Sequence, residues 1–299
     1  MITAKIIDIK HFAIHDGRGI RTTVFFKGCP LNCIWCHNPE AISMSKELAF
    51  YEHKCVGCGE CAKLCACHRI ENGKHTFERQ NCIHCNQCTE VCPAEALKIY
   101  GAEYTVSAIV DTVLKDVQFY NASGGGVTLS GGEPLLQIDF VEELSKKLCD
   151  LGISVNVDTC GMVNQSAFER IIPYTDTFLY DVKAISPELH KKCTGRDNGV
   201  ILSNLDFLCD SRCKINIRYP FIKGINDGEL DSIGQYLKGK KAIEKVTVLR
   251  YHDFARSKYL AIGRADTMPL QKTTYEDVRN AVDVLEQKYG LHAVCGNDD

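Results

Sequence analysis

The sequence predicts an α/β chain, a parallel sheet or barrel interrupted early by a small cysteine-rich unit held together by metal. Three observations predict it. After Cys92 short β-branched runs alternate with helical stripes. Twelve of the 18 cysteines fall between Cys29 and Cys92, a density that in a reducing compartment means metal or redox work rather than disulfides. Residues 51–100 are turn-rich and poor in helical stripes, as expected of a unit whose folding depends on bound metal. The barrel would therefore comprise residues 1–50 and 101–299, and the insert residues 51–100. A length of 299 residues with 45% hydrophobic content suffices for one large core plus such an insert.

The candidate strands lie at residues 20–27, 126–129, 153–157, 177–180, 214–219 and 245–250. Between them are helices with one apolar face. Val106, Ile109, Val110, Val113, Leu114 and Val117 form one stripe, and Ile138, Val141, Leu144, Leu148 and Leu151 another, at the three-four spacing that buries one side of a helix. Val278, Val282, Leu285 and Tyr289 repeat the pattern before a short strand at 291–294. These apolar residues are core.

A net charge of -3 and a pI near 6.4 give no broad pull towards nucleic acid or anionic lipid, which need clustered basic surface. The N-terminus alternates polar and apolar residues without the basic, apolar and small-residue regions of a signal peptide. No uncharged apolar run approaches the ~20 residues that cross a bilayer. A cytoplasmic protein is expected, with neither membrane nor nucleic acid as partner.

Cys29-Pro30-Leu31-Asn32-Cys33-Ile34-Trp35-Cys36 places three thiolates on one loop directly after the first candidate strand. Three thiolates so spaced suit three corners of a 4Fe-4S cluster and leave the fourth iron open to a ligand's amino and carboxylate groups. The competing reading is a zinc site completed by His37, but neighbours in sequence such as Cys36 and His37 are poorly placed to share one tetrahedral ion.

Further polar motifs fall at the C-terminal ends of the candidate strands, the face on which barrel enzymes assemble their sites. Ser130-Gly131-Gly132-Glu133-Pro134 brings glycines that let backbone approach a ligand and carbonyls that accept from its ammonium group. Asp158-Thr159-Cys160-Gly161 and Asp181-Val182-Lys183 put two carboxylates and a lysine on neighbouring strand tops, suggesting a bound cation. Taken singly, either Asp reads more readily as a helix cap. Arg218 and His252 could meet a ligand carboxylate and a ribose or adenine, although each alone would be structural. Six such motifs on one rim are not expected by accident. Gly124 to Gly126 lack the Lys-Ser/Thr that a phosphate loop requires.

In the insert, Cys55, Cys58, Cys61 and Cys65, then Cys82, Cys85, Cys88 and Cys92 followed by Pro93, form two runs of the bacterial two-cluster ferredoxin pattern. In that pattern the fourth cysteine of each run serves the other cluster, giving Cys55, Cys58, Cys61 and Cys92 for one and Cys82, Cys85, Cys88 and Cys65 for the other. Cys67 could replace Cys65, and a pair of zinc ribbons is the competing reading. The insert would carry electrons or serve as a docking module. Cysteines 149, 160, 193, 209, 213 and 295 show no ligand spacing, and Cys160 alone sits beside the proposed site.

The Cys29–Cys36 spacing, with Trp35 before the last cysteine, resembles the radical S-adenosylmethionine (SAM) superfamily. His15-Asp16-Gly17-Arg18-Gly19-Ile20-Arg21, Cys36-His37-Asn38-Pro39-Glu40, Ser123-Gly124-Gly125-Gly126-Val127-Thr128-Leu129-Ser130-Gly131-Gly132-Glu133 and Lys223-Gly224-Ile225-Asn226-Asp227 narrow the resemblance to the glycyl-radical-enzyme activating enzymes. That group contains pyruvate formate-lyase activase, and the likeness covers nearly the whole chain. It implies a partial (β/α)6 TIM-like barrel and an oxidoreductase that cleaves SAM at the Cys29/Cys33/Cys36 cluster, the resulting radical taking hydrogen from a backbone glycine of a partner enzyme. It implies SAM contacts from Trp35, Cys36, His37, Gly132, Asp181, Val182, Lys183 and His252, and a monovalent cation near Asp158 and Thr159. With the two-cluster insert it implies three 4Fe-4S clusters and a partner of the dehydratase, decarboxylase or lyase type. It further implies a monomer reduced by flavodoxin or ferredoxin. The alternatives are a radical SAM enzyme acting on a small molecule and an electron carrier without catalysis. Three residues depart from the family pattern: Arg18 stands where Pro is usual, Ala255 where Gly is usual, and Cys65 lacks a following Pro.

Overall fold

The computed structural model describes residues 2–296; Met1 and residues 297–299, the outer ends of the expected barrel, lie outside the described residues. The strands are β1 (Thr3–Ala13), β2 (Arg21–Phe26), β3 (Glu47–Phe50), β4 (His68–Glu71), β5 (Lys74–Phe77), β6 (Leu97–Tyr100), β7 (Ala102–Thr105), β8 (Gly126–Gly131), β9 (Ser154–Thr159), β10 (Thr177–Asp181), β11 (Ile215–Phe221), β12 (Ile243–Arg250) and β13 (Ala293–Gly296). The helices are α1 (Glu60–Leu64), α2 (Gln87–Glu90), α3 (Val106–Val113), α4 (Val117–Ser123), α5 (Ile138–Asp150), α6 (Gln165–Ile171), α7 (Pro187–Thr194), α8 (Gly199–Asp210), α9 (Leu230–Leu237), α10 (Arg256–Ala261) and α11 (Tyr275–Tyr289).

Nine strands form one sheet in the order β13-β12-β11-β10-β9-β8-β2-β1-β7. From β2 to β13 every neighbouring pair is parallel, whereas β1 pairs antiparallel with both β2 and β7. This mostly parallel sheet is consistent with a partial TIM-like barrel. Strand β2, Arg-Thr-Thr-Val-Phe-Phe, is buried along nearly its whole length, as a strand with both faces covered must be. Its polar members are satisfied internally: the Arg21 guanidinium donates to Thr128 Oγ1 at 2.8 Å, to the Val127 carbonyl at 2.6 Å and to the Ser154 carbonyl at 3.1 Å. Helices α3, α5, α6 and α8 pack side by side over the sheet, and α9 lies against α11. Thr274 and Asp277 close a reciprocal capping box at the start of α11.

The structure departs from the sequence expectation in two places. Residues 3–13 are a strand, so the strand leading to the Cys29 loop is the second. The stripe from Val106 to Val117 is not one helix, because a 3-10 turn at Leu114–Asp116 separates α3 from α4. Buried Asp116 at that turn accepts from Thr22 Oγ1 and lies 2.5 Å from His11 Nδ1.

The cysteine-rich segment is joined at its base by antiparallel β3 and β6 and carries the β4–β5 hairpin. Each cysteine of the second run follows its counterpart by 27 residues (55 to 82, 58 to 85, 61 to 88, 65 to 92). The backbone repeats as well: a 3-10 turn precedes each run, and a left-handed residue, Gly59 (φ 80°) or Asn86 (φ 71°), precedes each short helix. No helix among the described residues is long and apolar enough to cross a membrane.

Candidate active site

Because β2 and β8 to β12 run parallel, their C-terminal ends share one rim, and a cavity of about 310 Å³ opens there. The loop after β2 presents Cys29, Cys33, Trp35, Cys36 and His37 to it. The loop is anchored from both sides. Asn32 N–H donates to the Thr194 carbonyl at 2.8 Å and Ile34 N–H to the Cys193 carbonyl at 2.9 Å. From α10, Tyr259 donates to the Cys36 carbonyl at 3.1 Å, while Lys258 Nζ reaches the His37 carbonyl (3.0 Å), Asn38 Oδ1 (3.0 Å) and Glu40 Oε1 (2.7 Å).

Burial pushes the Cys36 thiol up to about 12, helped by Cys29 nearby, and raises Cys33 as well. A hydrogen bond from Cys160, the largest influence, lowers Cys29. Buried thiols of this kind become thiolates when a metal takes up their charge, and three on one loop facing a cavity fit three irons of a cluster. His37 does not complete a zinc site: its Nε2 donates to the His252 carbonyl at 2.9 Å, and its ring stacks on His252 with centroids 4.1 Å apart. Burial, then His252, lowers its pKa to about 4, so the ring is neutral.

The other strand ends add paired charges. Arg218 Nη1 lies 3.0 Å from Asp158 Oδ2, which also accepts from Ser130 Oγ at 2.7 Å. Lys183 Nζ contacts Asp181 Oδ2 at 2.5 Å. Burial raises the Asp158 pKa to about 6 against the opposing effect of Arg218. Burial is the largest influence and disfavours the Lys183 ammonium, yet Asp181 together with Cys33 and Cys160 overcomes it and the pKa rises. Asp158, Asp181, Lys183, Arg218 and His252 all line the cavity, as do Gly131 and Gly132. At Gly131 (φ 116°) a Cβ would stand 2.3 Å from Phe26 N, and at Gly132 2.2 Å from the Gly28 carbonyl. Only glycine allows β8 to pass so close to the cluster loop. His252 Nδ1 is buried without a hydrogen-bond partner among the described residues. An acceptor or donor from a ligand would satisfy it.

Three residues expected to touch the ligand have side chains elsewhere. The fully buried Glu133 carboxylate accepts from Thr159 Oγ1 (2.9 and 2.8 Å), Cys160 N–H (2.8 Å) and Leu135 N–H (3.2 Å). Thr159 thus points at Glu133, away from the cavity. Val182 is buried in the core, its N–H donating to the Arg218 carbonyl at 3.0 Å. Conversely, Asp16 and Cys160 line the cavity, and Asp16 accepts from Thr23 Oγ1 at 2.7 Å. Lys258 and Tyr259 were not singled out by the sequence. They lie far from the loop in sequence, on a six-residue helix with no apolar period.

In the insert, Cys55, Cys58, Cys61 and Cys92 line one small cavity, bringing the fourth cysteine of the second run to the first three of the other. Burial pushes Cys88 up to about 12, with Cys82, Cys85 and Cys65 contributing next, so these four thiols lie near one another. Cys67 is buried beside Cys65. Arg79 ties the insert to its surroundings, donating to the Leu48 carbonyl of β3 at 2.7 Å and to the Ala261 carbonyl at the end of α10. Buried Lys27 also reaches Glu47 at 2.7 Å.

The chain matches the radical SAM superfamily over residues 68–237. It is 43% identical over 261 residues, 85% of this chain and 86% of the relative, to the trans-4-hydroxy-L-proline dehydratase activating enzyme of Clostridioides difficile. It is 40% identical over 270 residues, 87% of each chain, to the choline trimethylamine-lyase activating enzyme of Oleidesulfovibrio alaskensis. The solved structure of Streptococcus suis SuiB bound to precursor peptide SuiA is similar in fold, with a TM-score of 0.54 at 13% identity, covering 89% of this chain and 46% of that one.

Proposed function

We propose a specific assignment of residues and partners for a chain that belongs to the radical SAM superfamily and, within it, to the activating enzymes of glycyl radical enzymes. Membership establishes the reaction: the cluster supplies an electron that splits SAM, and the carbon radical released takes a hydrogen atom from a glycine of the partner enzyme. Our reading is that Cys29, Cys33 and Cys36 hold the cluster that binds SAM. Gly131 and Gly132 offer backbone to the methionyl end, Asp181 and Lys183 with Arg218 and Asp158 orient its charged groups, and Trp35, His37 and His252 border the remainder. The observation that carries this is one cavity lined by all three loop thiols and the charged ends of β9, β10 and β11. Asp16, which lines the same cavity, would be free of these roles and border the space left for the incoming glycine segment. A monovalent cation beside Asp158 would draw on a carboxylate already shared with Arg218.

Residues 51–100 would form a ferredoxin-like domain with two further 4Fe-4S clusters, one on Cys55, Cys58, Cys61 and Cys92, the other on Cys82, Cys85, Cys88 and Cys65. What supports this is the crossed grouping of the thiols and the repeated backbone. The domain would pass electrons from reduced flavodoxin or ferredoxin to the SAM cluster. The partner would be a dehydratase, decarboxylase or lyase, since the relatives serve a dehydratase and a lyase, and the chain would act as a cytoplasmic monomer.

The test is anaerobic reconstitution, reduction with dithionite and assay of 5'-deoxyadenosine, comparing Cys33→Ala with the unaltered chain. We expect cleavage to fall to background in the variant while the insert clusters persist. Full cleavage by Cys33→Ala would refute the ligand assignment. A glycyl radical signal formed on one candidate partner and not on others identifies the substrate enzyme.

A further inference from the structure

We propose that His75, positioned by His68, donates a hydrogen bond to the cluster thiolate of Cys55 and thereby raises the reduction potential of that insert cluster. The inference rests on the two-cluster reading of residues 51–100. His75 Nδ1 lies 3.4 Å from Cys55 Sγ, and its Nε2 lies 3.0 Å from His68 Nδ1 and 3.8 Å from Cys61 Sγ. Both histidines are buried, at 7% and 2% exposure. They face each other across the β4–β5 hairpin, one from each strand. Phe50 covers the His75 ring at 4.2 Å, and Phe77 stacks on His68 at 4.7 Å with 14° between the planes.

The direction of the chain of hydrogen bonds follows from the ligand. A thiolate bound to iron has no proton to give, so the Cys55 contact exists only if His75 Nδ1 carries the hydrogen. Its Nε2 is then an acceptor and is filled by His68 Nδ1–H. His68 therefore fixes the tautomer in which His75 points a donor at sulfur. Reduction adds negative charge to the cluster, and an N–H aimed at a ligating sulfur stabilises the more negative state. The other thiol group has no side-chain N–H on its sulfurs among the described residues; Cys82 receives the His84 backbone N–H at 3.4 Å. Removing His75 should therefore move one potential and leave the other in place.

Cys61, His68 and His75 also come within 4.8 Å of one another, a spacing that one metal ion could bridge. The experiment separates these readings. In the full chain with Cys29, Cys33 and Cys36 replaced by Ala, only insert clusters remain. Iron and zinc content is measured first, then an anaerobic reductive titration is followed by EPR for this parent and for its His75→Phe, His75→Gln and His68→Phe derivatives. We expect about eight irons per chain from two four-iron clusters. For His75→Phe we expect one potential to fall by about 59 mV, a tenfold shift in its one-electron equilibrium. His75→Gln, which keeps an N–H, should recover most of the parent potential, and His68→Phe should produce part of the fall. His68→Phe retains His75 and so gives the reading even if His75→Phe fails to assemble. Unmoved potentials in fully loaded variants overturn the proposal, as does zinc held by the two histidines. Fewer than eight irons in the parent would instead overturn the two-cluster reading, and the proposal with it.

Discussion

Replacing Glu133 distinguishes a residue that touches the ligand from one that builds the rim beneath it. Its carboxylate is fully buried and accepts from Thr159 Oγ1, Cys160 N–H and Leu135 N–H. Glu133→Ala leaves the two backbone N–H groups buried without an acceptor, each costing about 1–3 kcal/mol, so the loss should be about 2–6 kcal/mol. That is a large share of the roughly 5–15 kcal/mol by which a domain is stable. Burial raises the Glu133 pKa while Cys160 and Thr159 pull it back, so the charge itself is a cost the fold tolerates. Glu133→Gln keeps the shape and a carbonyl acceptor and removes that cost, and should lose no more than about 2 kcal/mol. The assay is anaerobic urea unfolding of both variants, followed by SAM affinity of the cluster-loaded forms by calorimetry. The expected result is that affinity falls only in step with stability, modestly for Gln and strongly for Ala. A Gln variant of unchanged stability that no longer binds SAM would refute the reasoning and place the carboxylate on the cofactor.

Two further outcomes follow from other parts of the fold. Buried His190 places Nδ1 2.7 Å from the Arg196 carbonyl, and burial draws its pKa below the ordinary 6.5. As pH falls through 6.5 the unfolded chain binds this proton before the folded one does, so stability is lost downwards from there and unaffected above it. His190→Asn should show a shallower fall of the urea midpoint across that window, and parallel profiles for the two proteins would disprove it. Arg79→Ala removes the donors that tie the insert to strand β3 and to the end of α10. Proteolytic cuts between residues 51 and 100 should accelerate several-fold, mapped by mass spectrometry, and an unchanged cleavage rate would show that Arg79 does not hold the insert.

What the sequence made legible was local or periodic. Strands β2 and β8 to β12 are short β-branched runs with the period of their own pairing, and the rim residues stand at their ends because a parallel sheet aligns those ends. Two cysteine runs 27 residues apart announced a repeat. What was not legible depends on contacts between distant segments. Strand β1 alternates between buried and exposed positions and gains its identity only by pairing with β2 and β7. The break between α3 and α4 exists because Asp116 is needed inward by Thr22 and His11, about 100 residues earlier. Tyr259 and, in part, Lys258 act on backbone carbonyls of the cluster loop, which no motif marks, and the side chains Lys258 also reaches, Asn38 and Glu40, lie about 220 residues earlier.

The same dependence on distant partners changes the meaning of the two rim acids. In sequence, Asp158 and Asp181 are two carboxylates that call for a cation. In the fold, register places Asp181 directly beside Arg218 across β10 and β11, Arg218 bonds Asp158, and Lys183 bonds Asp181. Thr159, the other group that the family likeness associates with a cation, already gives its hydroxyl proton to Glu133. The protein's own cations therefore balance much of the negative charge on this rim, and mutual pairing fixes the position of each group before a ligand arrives. On the reading proposed above, a ligand with both an ammonium and a carboxylate would exchange partners with such pairs, Asp181 accepting from the one and Arg218 donating to the other. The groups released, Lys183 and Asp158, would then need an opposite charge from the ligand or the rim, since an isolated buried ion carries a cost of several kcal/mol, and directional groups such as the unsatisfied His252 Nδ1 would add selectivity.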